Sequence, residues 1–287
     1  MDAVRLLGDQ KALADHVARV LNEWSPRGAV FPTGVSRSAD TSSVLFLLGN
    51  HCGKGGKQGE PCVVLNKRST HVKQPGDLCF PGGSMSPRLD PCLGRLLCLP
   101  GFPLSRWPYW RQWYRYRRRE ARRLSLLLAT GLREGLEEMR LNPFGVHVLG
   151  PLPAQELVLF RRVIYPMVGW IHRQTRFFPN WEVERVIYIP LRSLLTPELY
   201  ARYRLRFDTG DTNPLTAAPE VKELPCFVHE GLLHTEILWG ATYRIVTVFL
   251  ECVFGFRPPD LQSLPVVNGT LGPDYLGGRP EPVPVEP

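Results

Sequence analysis

The run Arg133-Glu134-Gly135-Leu136-Glu137-Glu138 places three carboxylates within one turn and a half of any helix that forms there. Residues three and four apart share a helix face, so Glu134 and Glu138 project together and Glu137 flanks them. Carboxylates this close repel one another unless a cation joins them. Oxygen-only ligands that leave positions open suit Mg²⁺ or Mn²⁺, ions that also take phosphate oxygens from a substrate. The same hexapeptide suits a solvated acidic patch on a surface helix, and its spacing alone leaves both readings open.

A second segment favours the metal. Phe80-Pro81-Gly82-Gly83 lies upstream, and further back stand Leu65-Asn66-Lys67-Arg68-Ser69, Lys73 and Pro75-Gly76-Asp77-Leu78-Cys79. Gly83 followed by the Arg-Glu-x-x-Glu-Glu run resembles the Nudix box, divided into two halves. The Arg-Ser pair ahead of a Gly-acidic-x-x-Phe-Pro-Gly-Gly run resembles the coenzyme A diphosphatase branch of the Nudix hydrolases. Later matches keep the order: Gly150-Pro151-Leu152, Pro166-x-Val168-Gly169-Trp170, Glu182-Val183 leading to Ile189-Pro190-Leu191, and Leu238-Trp239-Gly240-Ala241-Thr242.

The resemblance implies an α/β (α+β) fold, a Nudix α/β/α sandwich around a central mixed β-sheet. It implies hydrolysis of the diphosphate of coenzyme A or an acyl-CoA to 3′,5′-ADP and 4′-phosphopantetheine or its acyl form, with Mg²⁺ or Mn²⁺. Other diphosphates, such as ADP-ribose or a dinucleotide, are the enzymatic alternatives. It assigns Glu134, Glu137, Glu138 and the carbonyl of Gly83 to metal. Arg133 would hold Glu134 in place, and Glu137 would be a third ligand or a base. Glu182 is a ligand, a base or a strand-edge charge. Arg68, Lys73, Phe80 and Gly82 fall to substrate binding, Arg68 and Lys73 against the 3′-phosphate or pyrophosphate of coenzyme A. His71 reads as a surface histidine.

The chain departs from the family in three places. Gly83 and Arg133 stand 50 positions apart, so an insertion splits the box. The glutamate expected six after the glycine is Leu89, with Asp90 beside it as a stand-in. The helix-ending glycine is replaced by Arg140, and Asn142-Pro143 is the expected stop. These departures motivate a reading of another class, a weakly catalytic module that binds through its insertion.

A chain of 287 residues with 44% hydrophobic content supports one substantial core. Seven cysteines without a Cys-x-x-Cys pair argue against a disulfide framework and against zinc, and fit the cytoplasm. No apolar run has the length of a membrane span, and the acidic N-terminus does not read as a secretory signal. The net charge of +8 is concentrated between residues 106 and 123, where arginine, tryptophan and tyrosine alternate. That stretch suits a solvated helix with its tryptophans packed down, an anionic membrane surface, or nucleic acid.

Periodicity predicts helices over 3–24, 109–139, 193–202 and 241–254. It predicts strands over 44–48, 62–65, 146–149, 163–165, 168–171 and 186–189, and a hairpin over 224–238. The expected organisation is an N-terminal helix (1–28), the main domain (29–257) with an inserted segment (91–128) that lengthens the catalytic helix, and a disordered Pro-rich tail (258–287).

Overall fold

The computed structural model describes residues 3–24, 31, 41–51, 59–157, 162–207, 221–231, 234–272 and 275. The chain runs α1 (Ala3–Leu7), α2 (Gln10–Trp24), β1 (Thr41–His51), β2 (Glu60–Arg68), β3 (Leu78–Cys79), β4 (Gly82–Ser84) and α3 (Asp90–Leu97). It continues through α4 (Trp110–Tyr116), α5 (Arg118–Met139), β5 (Val146–Pro151), β6 (Gln155–Leu157), β7 (Arg162–Ile171), β8 (Val183–Pro190) and α6 (Leu191–Leu194). Then come β9 (Tyr200–Phe207), β10 (Val221–Glu230), β11 (Thr235–Trp239), α7 (Gly240–Phe254) and β12 (Val266–Leu271).

The main sheet follows the order β3-β2-β1-β7-β5, with β4 on β1, β6 on β7 and β8 on β2. It is mixed: β1 runs parallel to β7 and antiparallel to β2 and β4. Alternation along β1 sorts its side chains between two cores. Leu45 and Leu47 pack with Leu124, Leu128 and Leu132 of α5. Phe46 and Leu48 pack on the other face with Leu13 and Val17 of α2 and Ile245 and Phe249 of α7. The sheet is therefore held between two helical layers, as expected. Gly131 lets α5 come close, since a Cβ there would lie 3.5 Å from the Leu45 Cβ. A smaller sheet, β11-β10-β9-β12, flanks the main one.

Several elements differ from the sequence reading. The N-terminal helix divides at Gly8-Asp9, where Asp9 accepts from the Ala12 N–H at 3.0 Å. Residues 109–139 form two helices, because Arg117 (φ −134°, ψ 50°) leaves the helical basin. The bend lets α4 bury Trp110 and Trp113 while α5 keeps its leucines on the sheet. The predicted helix over 193–202 is four residues of α6 followed by β9, where Arg202, Arg204 and Arg206 alternate with Ala201, Tyr203 and Leu205 at a strand's period. The disordered tail is corrected for 258–272: these residues include β12, paired parallel with β9. The end of the N-terminal helix expected at 25–28 and the tail expected from 276 onward lie outside the described residues.

Candidate active site

The site is built where β4 meets the central strand. Gly83 pairs with Ser43 and Gly82 with Val44. A Cβ on Gly82 would press on the Ser43 carbonyl and come within 2.6 Å of Val44 Cα. A Cβ on Gly83 would stand 2.6 Å from Glu134 Oε1. Only glycines let β4 lie between β1 and α5, and the long insertion leaves Gly83 against Glu134.

Arg133 is the hub of the acidic run. Its Nε donates to Asp90 Oδ1 at 2.8 Å, and its two terminal nitrogens pair with Glu134 Oε1 at 2.9 Å and Glu137 Oε2 at 3.0 Å. Asp90 is fully buried and also accepts from Thr130 Oγ1 and the Ser86 N–H, each at 2.7 Å. Of the two neighbours, Asp90 is the one turned to Arg133, while Leu89 faces solvent. This is a partly buried, charge-assisted network rather than a plain surface pair.

Glu138 is 9% exposed, and its carboxylate accepts from Asn66 Nδ2 at 2.7 Å and from the Gly82 N–H at 3.3 Å. Burial pushes its carboxyl up to about 7; the two donors oppose the shift and the charges of Glu134 and Glu182 add to it. Burial also raises Glu134, Arg133 opposes, and Glu137 and Glu182 add. The charge of Glu182 acts on both Glu134 and Glu138, which puts it in the same cluster. Its turn is fixed from both sides: the Asn180 N–H donates to the Glu138 carbonyl at 2.8 Å, and the Ser69 N–H to the Glu182 carbonyl at 2.9 Å. Glu137 lies at the rim, with its side chain 54% exposed.

Asn66 is the site residue that the sequence reading missed as such. It is completely buried, it holds Glu138, and its Oδ1 accepts no hydrogen bond among the described residues. The signal was a lone amide following the apolar strand Cys62-Val63-Val64-Leu65. Phe80 is placed differently from the expectation. It is 3% exposed and stacks on Phe46 at 4.6 Å, so it supports the core instead of touching a ligand. Glu184 pairs with Arg185 at 3.3 Å, in a separate network around the buried Glu236.

Arg68 is half-buried and braces its own loop, donating from Nε to the Lys73 carbonyl at 2.7 Å. Lys73 is exposed. The Arg68 loop borders the cluster through Ser69 and its bond to Glu182. His71 is half-buried.

The chain is 26% identical to the Nudix hydrolase NudL of Yersinia enterocolitica over 232 residues, 79% of this chain and 90% of that protein. The NudL of Pectobacterium atrosepticum is 44% identical over 66 residues, so the matched stretch spans 34% of that protein. A Nudix hydrolase of M. Smegmatis, RenU, aligns at 12% identity with a TM-score of 0.34, covering 54% of this chain and 73% of its own. No protein-family model matches the chain.

The donor set here fits a divalent metal ion. It is oxygen-only, it sets the half-buried Glu134 beside the buried Glu138, whose pKa its charge raises, and it includes the Asn66 side-chain carbonyl oxygen. Among the described residues no three acidic, His or Cys side chains already converge as a ligand group. Arg133, Asn66 and Gly82 take up the carboxylates instead, so binding an ion would require Glu134 and Glu138 to exchange these partners.

Proposed function

We propose that this chain is a divalent-metal-dependent pyrophosphohydrolase that cleaves coenzyme A or an acyl-CoA to 3′,5′-ADP and 4′-phosphopantetheine or its acyl form. The observation that carries the hydrolase reading is the contact of Gly83 with Glu134 across the insertion, which joins both halves of the split box. The coenzyme A reading rests on the sequence pattern from Arg68-Ser69 to Gly83 and on the position of the Arg68 loop beside Glu182.

Glu134, Glu138 and the Gly83 carbonyl would hold Mg²⁺ or Mn²⁺. A bound ion of this kind neutralises diphosphate oxygens and lowers the pKa of a water. Arg133, anchored by Asp90, keeps Glu134 aimed at the site. The Glu182 carboxylate has no hydrogen bond or ion pair among the described residues, which leaves it free to take a proton from an attacking water. Glu137, held at the rim by Arg133, is an outer ligand or second base. Arg68 and Lys73 meet the anionic end of the substrate.

The test is product analysis on the purified chain with Mg²⁺ or Mn²⁺ and a panel of coenzyme A, acetyl-CoA, ADP-ribose and a dinucleotide. Phosphopantetheine and 3′,5′-ADP are the expected products, and Glu138→Gln should lower kcat by about 100-fold or more. Turnover of ADP-ribose with none of coenzyme A would overturn the substrate assignment. No turnover of any member, or an unimpaired Glu138→Gln, would overturn the site.

A further inference from the structure

The inserted segment does more than separate the two halves of the box. Its inner side is a packed layer. Trp107 donates from Nε1 to the Leu149 carbonyl at 3.1 Å, Trp113 to Asn22 Oδ1 at 3.0 Å, and Gly94 lets α3 press on α5 near Ser125. Its outer side is uncovered among the described residues. Leu89 and Leu96 are 57% and 44% exposed, and Leu99, just past the end of α3, is 48% exposed. With Cys92 they follow helical spacing along one face, opposite the buried Asp90, Gly94 and Leu97.

The neighbouring stretch of the same layer is basic and aromatic. Tyr114 and Tyr116 are 48% and 72% exposed, and Arg111, Arg115, Arg118, Arg119 and Arg122 are exposed around them. Arg115 lies over Tyr116 and Arg118 over Tyr114. Residues 91–128 hold nine arginines against one acid, Glu120, which is taken by Arg123 and the Phe31 N–H. Among the described residues none of the five exposed arginines has an ion pair. Arg118 and Arg119 also stand in the first turn of α5, where the helix dipole opposes a cation. An external anion would relieve that cost.

We propose that this outer face binds the surface of an anionic phospholipid bilayer. Three partners could meet the positive charge, and the residue types choose among them. A second copy of the chain would bring the same charge and repel. A nucleic acid would use the arginines and tyrosines but leave Leu89, Leu96 and Leu99 without a role. A bilayer uses all three: leucines at the acyl boundary, tyrosines at headgroup depth, arginines on lipid phosphates.

The experiment is co-sedimentation of the full chain with vesicles of phosphatidylcholine alone and with about one third phosphatidylserine, at low and high salt. Binding to the anionic vesicles only, weakened by salt, is expected. Replacing Arg111, Arg115, Arg118 and Arg119 together with Gln should weaken it about 100-fold or more, since each surface arginine contributes roughly fivefold. Leu96→Ser with Leu99→Ser should weaken it about tenfold, without altering the circular dichroism spectrum or turnover. A single-stranded oligonucleotide serves as the control ligand. Absence of vesicle binding at low salt overturns the proposal. So does tighter binding of the oligonucleotide that is insensitive to the leucine changes, or equal binding to uncharged vesicles.

Discussion

Arg140 carries a cost that the sequence announced and the structure locates. It ends α5 in the left-handed conformation (φ 55°), and the N–H groups of Arg140 and Leu141 cap the carbonyls of Leu136 and Gly135, each at 3.1 Å. The stop expected at Asn142-Pro143 therefore comes at Arg140, because the cap geometry requires it there whichever residue is present. A side chain in this region costs roughly 1 kcal/mol that glycine avoids. Arg140→Gly should raise stability by about 0.5–1 kcal/mol, seen as a higher urea midpoint at unchanged slope. A lower midpoint would show that the arginine side chain contributes more than its backbone costs. Gly135 works in the opposite way. In the sequence it is a weak helix former; in the fold a Cβ there would meet Leu141 Cδ2 at 2.9 Å, so its absence lets the chain fold back beneath α5. Asp90 was legible as a candidate stand-in because it sits one position away from Leu89, and it pairs with Arg133. Its partner Thr130 was not, since a hydroxyl on α5 becomes part of the site only once α3 packs there.

Elements whose signal is local were legible, and those set by distant partners were not. The apolar run of β1 and the stripe of α7 follow their periods plainly. In contrast, β12 reads as a short stretch of proline- and glycine-punctuated chain, and it exists because β9 offers it an edge. The same C-terminal stretch carries Tyr275 back to the start of the site. The Tyr275 hydroxyl donates to Asp77 Oδ2 at 2.6 Å, Trp239 Nε1 donates to Asp77 Oδ1 at 3.1 Å, and the Gln74 N–H donates to the Tyr275 carbonyl at 2.7 Å. A contact across 198 positions leaves no trace in any short window. Its consequence is a loop over 68–77 clasped from outside, and that loop presents Arg68 and Lys73. Tyr275→Phe removes one donor from the half-buried Asp77 carboxylate and should cost about 1–3 kcal/mol of stability. If the loop meets substrate, KM should rise several-fold with kcat little changed. An unchanged KM in a destabilised variant would assign the clasp to folding alone.

Across the whole molecule the charges are sorted. The net +8 hides a site that is acidic and partly buried, while the exposed basic residues are gathered in the insertion. That sorting makes the site expensive above neutral pH, and the sign follows from Glu138. Its carboxyl stands near 7 in the folded chain against an ordinary 4.5, so the native state holds the proton more tightly than the unfolded one. The stability that protonation gives is complete below about pH 4.5 and is lost as the pH rises through about 7. Glu138→Gln should therefore melt higher than the parent at pH 8, and the difference should vanish at pH 4.5. A divalent cation at the cluster offsets the same cost of holding a buried charge beside Glu134 and Glu182. Mg²⁺ or Mn²⁺ at about 100 times its dissociation constant adds about 2.7 kcal/mol, a rise of roughly 5–10 °C in Tm for a chain of this size. Melting curves with and without Mg²⁺, at pH 5 and pH 8, separate these effects without any substrate. The parent should respond most at pH 8, where Glu138 is ionised, and Glu138→Gln should respond weakly at both. A parent whose melting ignores both ions would leave the carboxylates as a structural network around Arg133, with no metal to gather them.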